Sequence, residues 1–168
     1  MGGSDTVENA IVWTMTWLMK KPLVMKKLQE EIRRLGGKKD MIDNQDIEKL
    51  PYLRAVIKEA FRLWNYGVYQ CLGYWARSCR VGNADEFLPE RFLEGQNPEL
   101  VTFGFGRRGC PGMGMTMAEV ELVMANLVYK FNWELPVGMK EEDIDFECKP
   151  GAALHKKNDL CLVATVVI

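Results

Sequence analysis

One ten-residue stretch restricts this chain more than any other: Phe103-Gly104-Phe105-Gly106-Arg107-Arg108-Gly109-Cys110-Pro111-Gly112. Its four glycines permit backbone shapes and close approaches that a Cβ would block. They surround a cysteine placed just ahead of a stretch, Met115 to Lys130, that reads as a long helix. A helix amino terminus offers partial positive charge and free N–H groups, which favour a thiolate, and Arg107 and Arg108 add to that field. Pro111 has no N–H, so hydrogen bonds to the sulfur have to come from Gly112 and later amides.

The rest of the chain predicts helices first and a small sheet at the end. A helix is expected over Thr6 to Lys20, with Ser4 or Asp5 as its cap. Pro22 stands where a first-turn proline belongs, and Leu23, Leu28, Ile32 and Leu35 recur at helical spacing until Gly36-Gly37 stops them. A short turn of helix fits between Asp43 and Leu50. Pro51 then opens a third helix to about Trp64, with Leu53, Val56, Ile57, Ala60 and Leu63 on its apolar face. From Asn65 to Ala84 no period is clear, and Phe87 to Gly95 is a charged and aromatic connector. Strand-like runs close the chain: Phe131 to Leu135, Ile144 to Cys148 and Leu160 to Ile168. The expected class is mainly α with a small β region, in a single domain over 1–168.

Composition excludes several functions. Apolar residues make up 48%, enough for a real core, and 22 Lys and Arg balance 23 Asp and Glu. That leaves no basic stripe of the kind nucleic-acid binding needs. The pairs Lys20-Lys21, Lys26-Lys27 and Lys156-Lys157 are expected on solvated faces. Five cysteines without paired spacing, and no secretory signal, point to free thiols in a reducing compartment. One histidine, His155, and no C-x-x-C argue against structural zinc. The apolar run Ala10 to Met19 is too short to span a bilayer, so no transmembrane anchor is expected here. Met1 to Thr6 fits the loose template for myristoylation, a pattern common by chance.

A thiolate held as the loop suggests is a strong, electron-donating ligand for haem iron. The plainer reading is a buried structural cysteine in a turn, although burial has no use for two arginines and four glycines beside it. Gly104-x-Gly106-x-x-Gly109 also fits the dinucleotide fingerprint, with Glu134 at a loosely plausible distance. That fingerprint needs a firm strand before it and a helix opening on its third glycine. Only Leu100 to Phe103 precedes it here, and Pro111 delays the helix.

The loop resembles F-x-x-G-x-R-x-C-x-G, the haem signature of the cytochrome P-450 family, at Phe103, Gly106, Arg108, Cys110 and Gly112. Three further motifs are similar and stand in the family's order. Glu59-x-x-Arg62 occupies the third helix, where plain spacing gives an ordinary surface pair. Pro89-Glu90-Arg91-Phe92 resembles the P-E-R-F segment, and Gly2-Gly3-Ser4-Asp5-Thr6 the oxygen-activation motif, which alone reads as a helix cap. KLPYLRAVIKEAFRL and ANLVYKFNWELP look like plant microsomal enzymes of the A-type group. The likeness thins between Asn65 and Ala84, where a shortened stretch replaces the usual proline-rich turn. Trp75-Ala76 stands as a remnant of a family segment, and Thr102 takes a place where proline is usual.

The resemblance implies the carboxy-terminal part of the cytochrome P-450 fold, incomplete, with haem b as cofactor and Cys110 as axial ligand of its iron. It implies that Asp5 and Thr6 manage protons, that Glu59, Arg62 and Arg91 form a buried charge network, that Arg108 faces a propionate, and that Phe103 shields the sulfur. It further implies monooxygenase chemistry on a small organic substrate, with electrons from NADPH through NADPH-cytochrome P-450 reductase at the cytosolic face of the endoplasmic reticulum. Members of the family are much longer, so this chain is expected to be cytoplasmic or peripheral and weak or inactive alone. The alternative is a non-catalytic remnant that acts through exposed helical surface.

Overall fold

A computed structural model of the chain describes residues 3–71, 83–93, 101–104, 106–149 and 155–167. The stretch about Trp75-Ala76 and the first two residues of the myristoylation template lie outside them. Five helices hold most of the described chain: α1 (Ser4–Lys20), α2 (Pro22–Gly36), α3 (Asn44–Ile47), α4 (Pro51–Cys71) and α5 (Met113–Lys130). Four short strands follow: β1 (Phe131–Glu134), β2 (Cys148–Lys149), β3 (His155–Lys156) and β4 (Val163–Val166). They form two antiparallel pairs, β1 with β4 and β2 with β3, rather than one sheet. In the first pair Phe131 faces Val166 and Glu134 faces Val163.

The helices begin where local chemistry lets them. Pro22 fills the first turn of α2, where its missing N–H costs nothing. Asp43 caps α3 through the amides of Gln45 and Asp46, and Asp46 returns the bond to the Asp43 amide. The start of α4 is capped from another helix, since the Glu31 carboxylate accepts from the Tyr52 and Leu53 amides at 3.0 and 3.1 Å. Arg33 does the converse for α5, donating to the carbonyls of Val128, Tyr129 and Phe131 at its carboxyl end. α1 differs from expectation, because neither Ser4 nor Asp5 caps it. Gly3 is its cap residue, and the Thr6 hydroxyl donates to the Gly3 carbonyl at 2.9 Å.

α1, α2, α4 and α5 pack round one core. Leu18, Leu28, Ile32, Leu53, Val56, Ile57, Val120 and Met124 are fully buried there, and each stabilises the fold by about 1.5–3 kcal/mol. Leu23 is instead 84% exposed, and Met25 takes the inward place in α2's first turns. The cause is phase: Leu28 and Ile32 set the buried stripe, and position 25 falls on it while 23 does not. The buried threonines of α1 satisfy themselves, Thr14 donating to Ala10 and Thr16 to Val12, each at 2.7 Å. Gly36 is required by packing, because a Cβ there would run into the Tyr129 ring.

Two further expectations are corrected. Lys156 is buried, not solvated, because its ammonium donates to the Asp145 carbonyl at 2.7 Å and pairs with the Asp145 carboxylate at 3.2 Å. Cys148 is disulfide-bonded rather than a free thiol. Pairing follows from how closely the fold brings two Cα atoms, which cysteine spacing along the chain does not reveal. Among the described residues no helix is long and apolar enough to cross a membrane.

Candidate functional site

The Cys110 loop is shaped by its glycines and by two backbone bonds. Gly104 and Gly106 adopt φ of +71° and +57°, left-handed values that strain any residue with a Cβ. A tight turn over Gly106–Arg108 closes with the Gly109 amide donating to the Gly106 carbonyl at 3.1 Å. The Cys110 amide then donates to the Phe103 carbonyl at 2.7 Å, which folds the loop back on itself. Phe103 turns inward, its ring 5.2 Å from that of Phe61 in α4. Cys110 points outward, exposed and free, two residues ahead of Gly112, the cap residue of α5.

These residues fit a haem. An axial thiolate needs a bare face on which a large planar group can lie, and Cys110 offers an exposed sulfur. A Cβ at Gly112 would stand 3.8 Å from that sulfur, so the glycine leaves its flank open. Arg107 and Arg108 are exposed on the same loop, where they can meet carboxylates. The dinucleotide reading loses its supports: Val101–Phe103 is a turn of 3-10 helix rather than a strand, and α5 opens at Met113, well beyond Gly109.

Behind the loop, α4 carries a buried charge cluster. Glu59 accepts from Arg62 at 2.7 and 2.9 Å and from Arg91 at 3.0 Å, and all three side chains are at most 4% exposed. The Leu88 amide adds a further bond to Glu59 at 2.9 Å. Arg62 donates onward to the carbonyls of Ala84 and Glu86, and Arg91 to those of Asn83 and Glu86. A buried carboxylate between two guanidiniums with its oxygens saturated is the arrangement that makes buried charge tolerable. Arg91 reaches it from a tight turn, Pro89–Phe92, whose other charged residue faces away. Glu90 there accepts from Lys27 at 2.6 Å and from the Tyr52 hydroxyl at 3.0 Å. Those bonds hold its carboxyl below the usual range even against partial burial, while burial and the Glu90 carboxylate push the Tyr52 phenol well up.

Asp5 and Thr6 occupy the first turn of α1, Asp5 exposed and Thr6 half-buried. Among the described residues no hydrogen bond joins Asp5 to the Cys110 loop. The structure therefore gathers Glu59, Arg62 and Arg91 into one cluster and leaves the α1 pair and the cysteine on separate helix starts. Spacing alone gave no notice of Phe61, which carries the loop on its ring and its carbonyl. Its only signal is a position beside Arg62 on the buried side of α4.

The described chain is mainly helical and sets an exposed cysteine ahead of a helix, with a saturated Glu–Arg–Arg cluster buried nearby. The chain belongs to the cytochrome P-450 family, whose model matches residues 1–70 and 82–163. It is 42% identical to 5-OH-xanthotoxin synthase of Ammi majus, over 95% of this chain and 38% of that protein. It is also 42% identical to dihydroniloticin synthase of Melia azedarach, over 98% of this chain and 38% of that protein. With 6,7,8-trihydroxycoumarin synthase of Pastinaca sativa the identity is 41%, over 95% of this chain and 39% of that one. The chain thus spans about two fifths of the length of the curated plant relatives it matches. Each alignment covers 196 positions, more than the 168 residues here, so those relatives carry residues within the span that this chain lacks.

Proposed function

We propose that this chain supplies the thiolate side of a haem monooxygenase site, with Cys110 as axial ligand of the iron. The observation that carries the reading is the exposed Cys110 sulfur on a glycine-flanked loop closed by the bond from its amide to Phe103. Haem b, when bound, supplies oxygen activation for inserting one oxygen atom into a small organic substrate. The chain's own residues bind and orient. Phe103 fills the space behind the sulfur, Gly106 and Gly112 keep side chains off its face, and Arg108 offers its guanidinium to a propionate. Glu59, Arg62 and Arg91 hold the support rigid. Asp5 and Thr6, an acid and an alcohol on one turn, are suited to holding and passing a proton. Electrons come from NADPH through NADPH-cytochrome P-450 reductase at the cytosolic face of the endoplasmic reticulum, as in the family.

The test is spectroscopic. The purified chain, given haem, reduced and exposed to carbon monoxide, is expected to show the strongly red-shifted Soret band of thiolate ligation. A wild-type protein that binds haem without that band refutes the assignment. A second reading, of little or no turnover by the 168 residues alone, is supported by the exposure of Asp5. An acid this open to solvent leaves its side of the site poorly shielded, and water competes with substrate there. Substrate oxidation by the isolated chain with reductase and NADPH would refute it.

A further inference from the structure

We infer that Thr102 is a positioning residue for the Cys110 loop, its hydroxyl clasping the loop to the turn of α4 that carries Glu59 and Arg62; the inference rests on the haem-thiolate reading above. Thr102 Oγ1 donates to the Phe61 carbonyl at 3.0 Å, across 41 residues of sequence. The next residue, Phe103, sets its ring on the Phe61 ring and lends its carbonyl to the Cys110 amide at 2.7 Å. A short path therefore runs from the backbone of α4, through Thr102 and Phe103, to the backbone of the ligand residue. Phe61 lies between Glu59 and Arg62, so the path ends on the turn of α4 held by the buried Glu59–Arg62 pair.

Among the described residues little else on the loop can do this. From Gly104 to Gly112 the described side chains Arg107, Arg108, Cys110 and Pro111 are all exposed, and Gly104 and Gly106 add conformational freedom. Thr102 and Phe103 are half-buried and face inward. The Thr102 hydrogen bond therefore gives the loop a fixed point that its glycines do not.

The clasp has a readout that needs no haem. In T102V, which keeps the shape and removes the donor, exchange of the Cys110 amide is expected to quicken about fivefold, the population shift that loss of one neutral hydrogen bond gives. Amides of Met124 and Val128 in α5 keep their wild-type rates and report an intact fold. T102S restores slow exchange at Cys110. If T102V does not fold, T102A makes the same comparison without an inserted methyl.

In the haem-loaded, carbon monoxide-bound protein, T102V is expected to lose part of the thiolate band and T102S to regain it. Wild-type exchange at Cys110 in T102V overturns the clasp. Faster exchange with an unchanged band overturns its positioning role. Absence of the band from the wild type defeats the haem-thiolate reading instead, and the exchange data still register the clasp.

Discussion

Two parts of α4's surroundings treat charged and reactive groups in opposite ways. At Glu59, Arg62 and Arg91 every charge is buried and answered, and four carbonyl or amide groups from 83–88 complete the bonding. At Cys110, a few residues of path away, the residue is exposed, and among the described residues its loop is held by the Phe103–Phe61 ring contact, the Thr102 hydroxyl and backbone bonds such as that from the Cys110 amide to Phe103. The buried cluster is a support and gains from saturation. On the proposed reading the loop is a place for a ligand, and a ligand site has to leave something unsatisfied until the ligand arrives. Reactivity sits on the lightly held side of a heavily held helix.

Variants at the loop and at the cluster should separate the two. The largest effect is expected from C110A, which should abolish the thiolate band of the carbon monoxide complex while leaving the unfolding transition close to wild type. Retention of the band would place the ligand elsewhere. Next, E59Q leaves two buried guanidiniums facing a neutral amide and should cost about 3–5 kcal/mol, seen as a lower urea midpoint. Adding R91M should return part of that loss, because the desolvated charge goes with it. If E59Q unfolds like wild type, the cluster is not the support described here.

G106A should fall in between, costing roughly 1–2 kcal/mol for a Cβ at positive φ and weakening the thiolate band more than the fold. Equal losses in both would mean that the loop and the core are not separable.

Smaller still is the acid side of the cluster's rim. Glu90 has its folded pKa lowered, so its contribution is present above the ordinary carboxylate range and is lost as pH falls through the folded value. The urea midpoint of E90Q should therefore decline less steeply than wild type on acidification, while C110A follows the wild-type profile. The smallest effect is expected from K157A, whose partner Glu147 is 58% exposed, and which should leave the midpoint unchanged.

Much of this was legible beforehand because the signals are local. Pro22, Asp43 and Pro51 start helices by chemistry within one turn, and Leu53, Val56, Ile57 and Ala60 announce α4's buried face by spacing. Leu23 misled because apolar character at roughly helical spacing does not fix the phase of the buried stripe. The α1 cap misled because Ser4 and Asp5 suit the role equally on paper, while the chain enters the helix one residue earlier. A lysine pair carries no notice of Asp145, so Lys156 reads as solvated from its neighbours alone.

Sequence by itself determined the starts of α2 and α3, the glycine loop with its cysteine, and the family to which they point, since each is written within a few neighbouring residues. Only the tertiary structure decided that Glu59 serves two arginines, one of them 32 residues away, and that Thr102 reaches Phe61 across 41. Desolvation is the reason. Whether a charge is buried, and whether a hydroxyl finds a carbonyl, is summed over segments distant in the chain, and no window of sequence contains that sum.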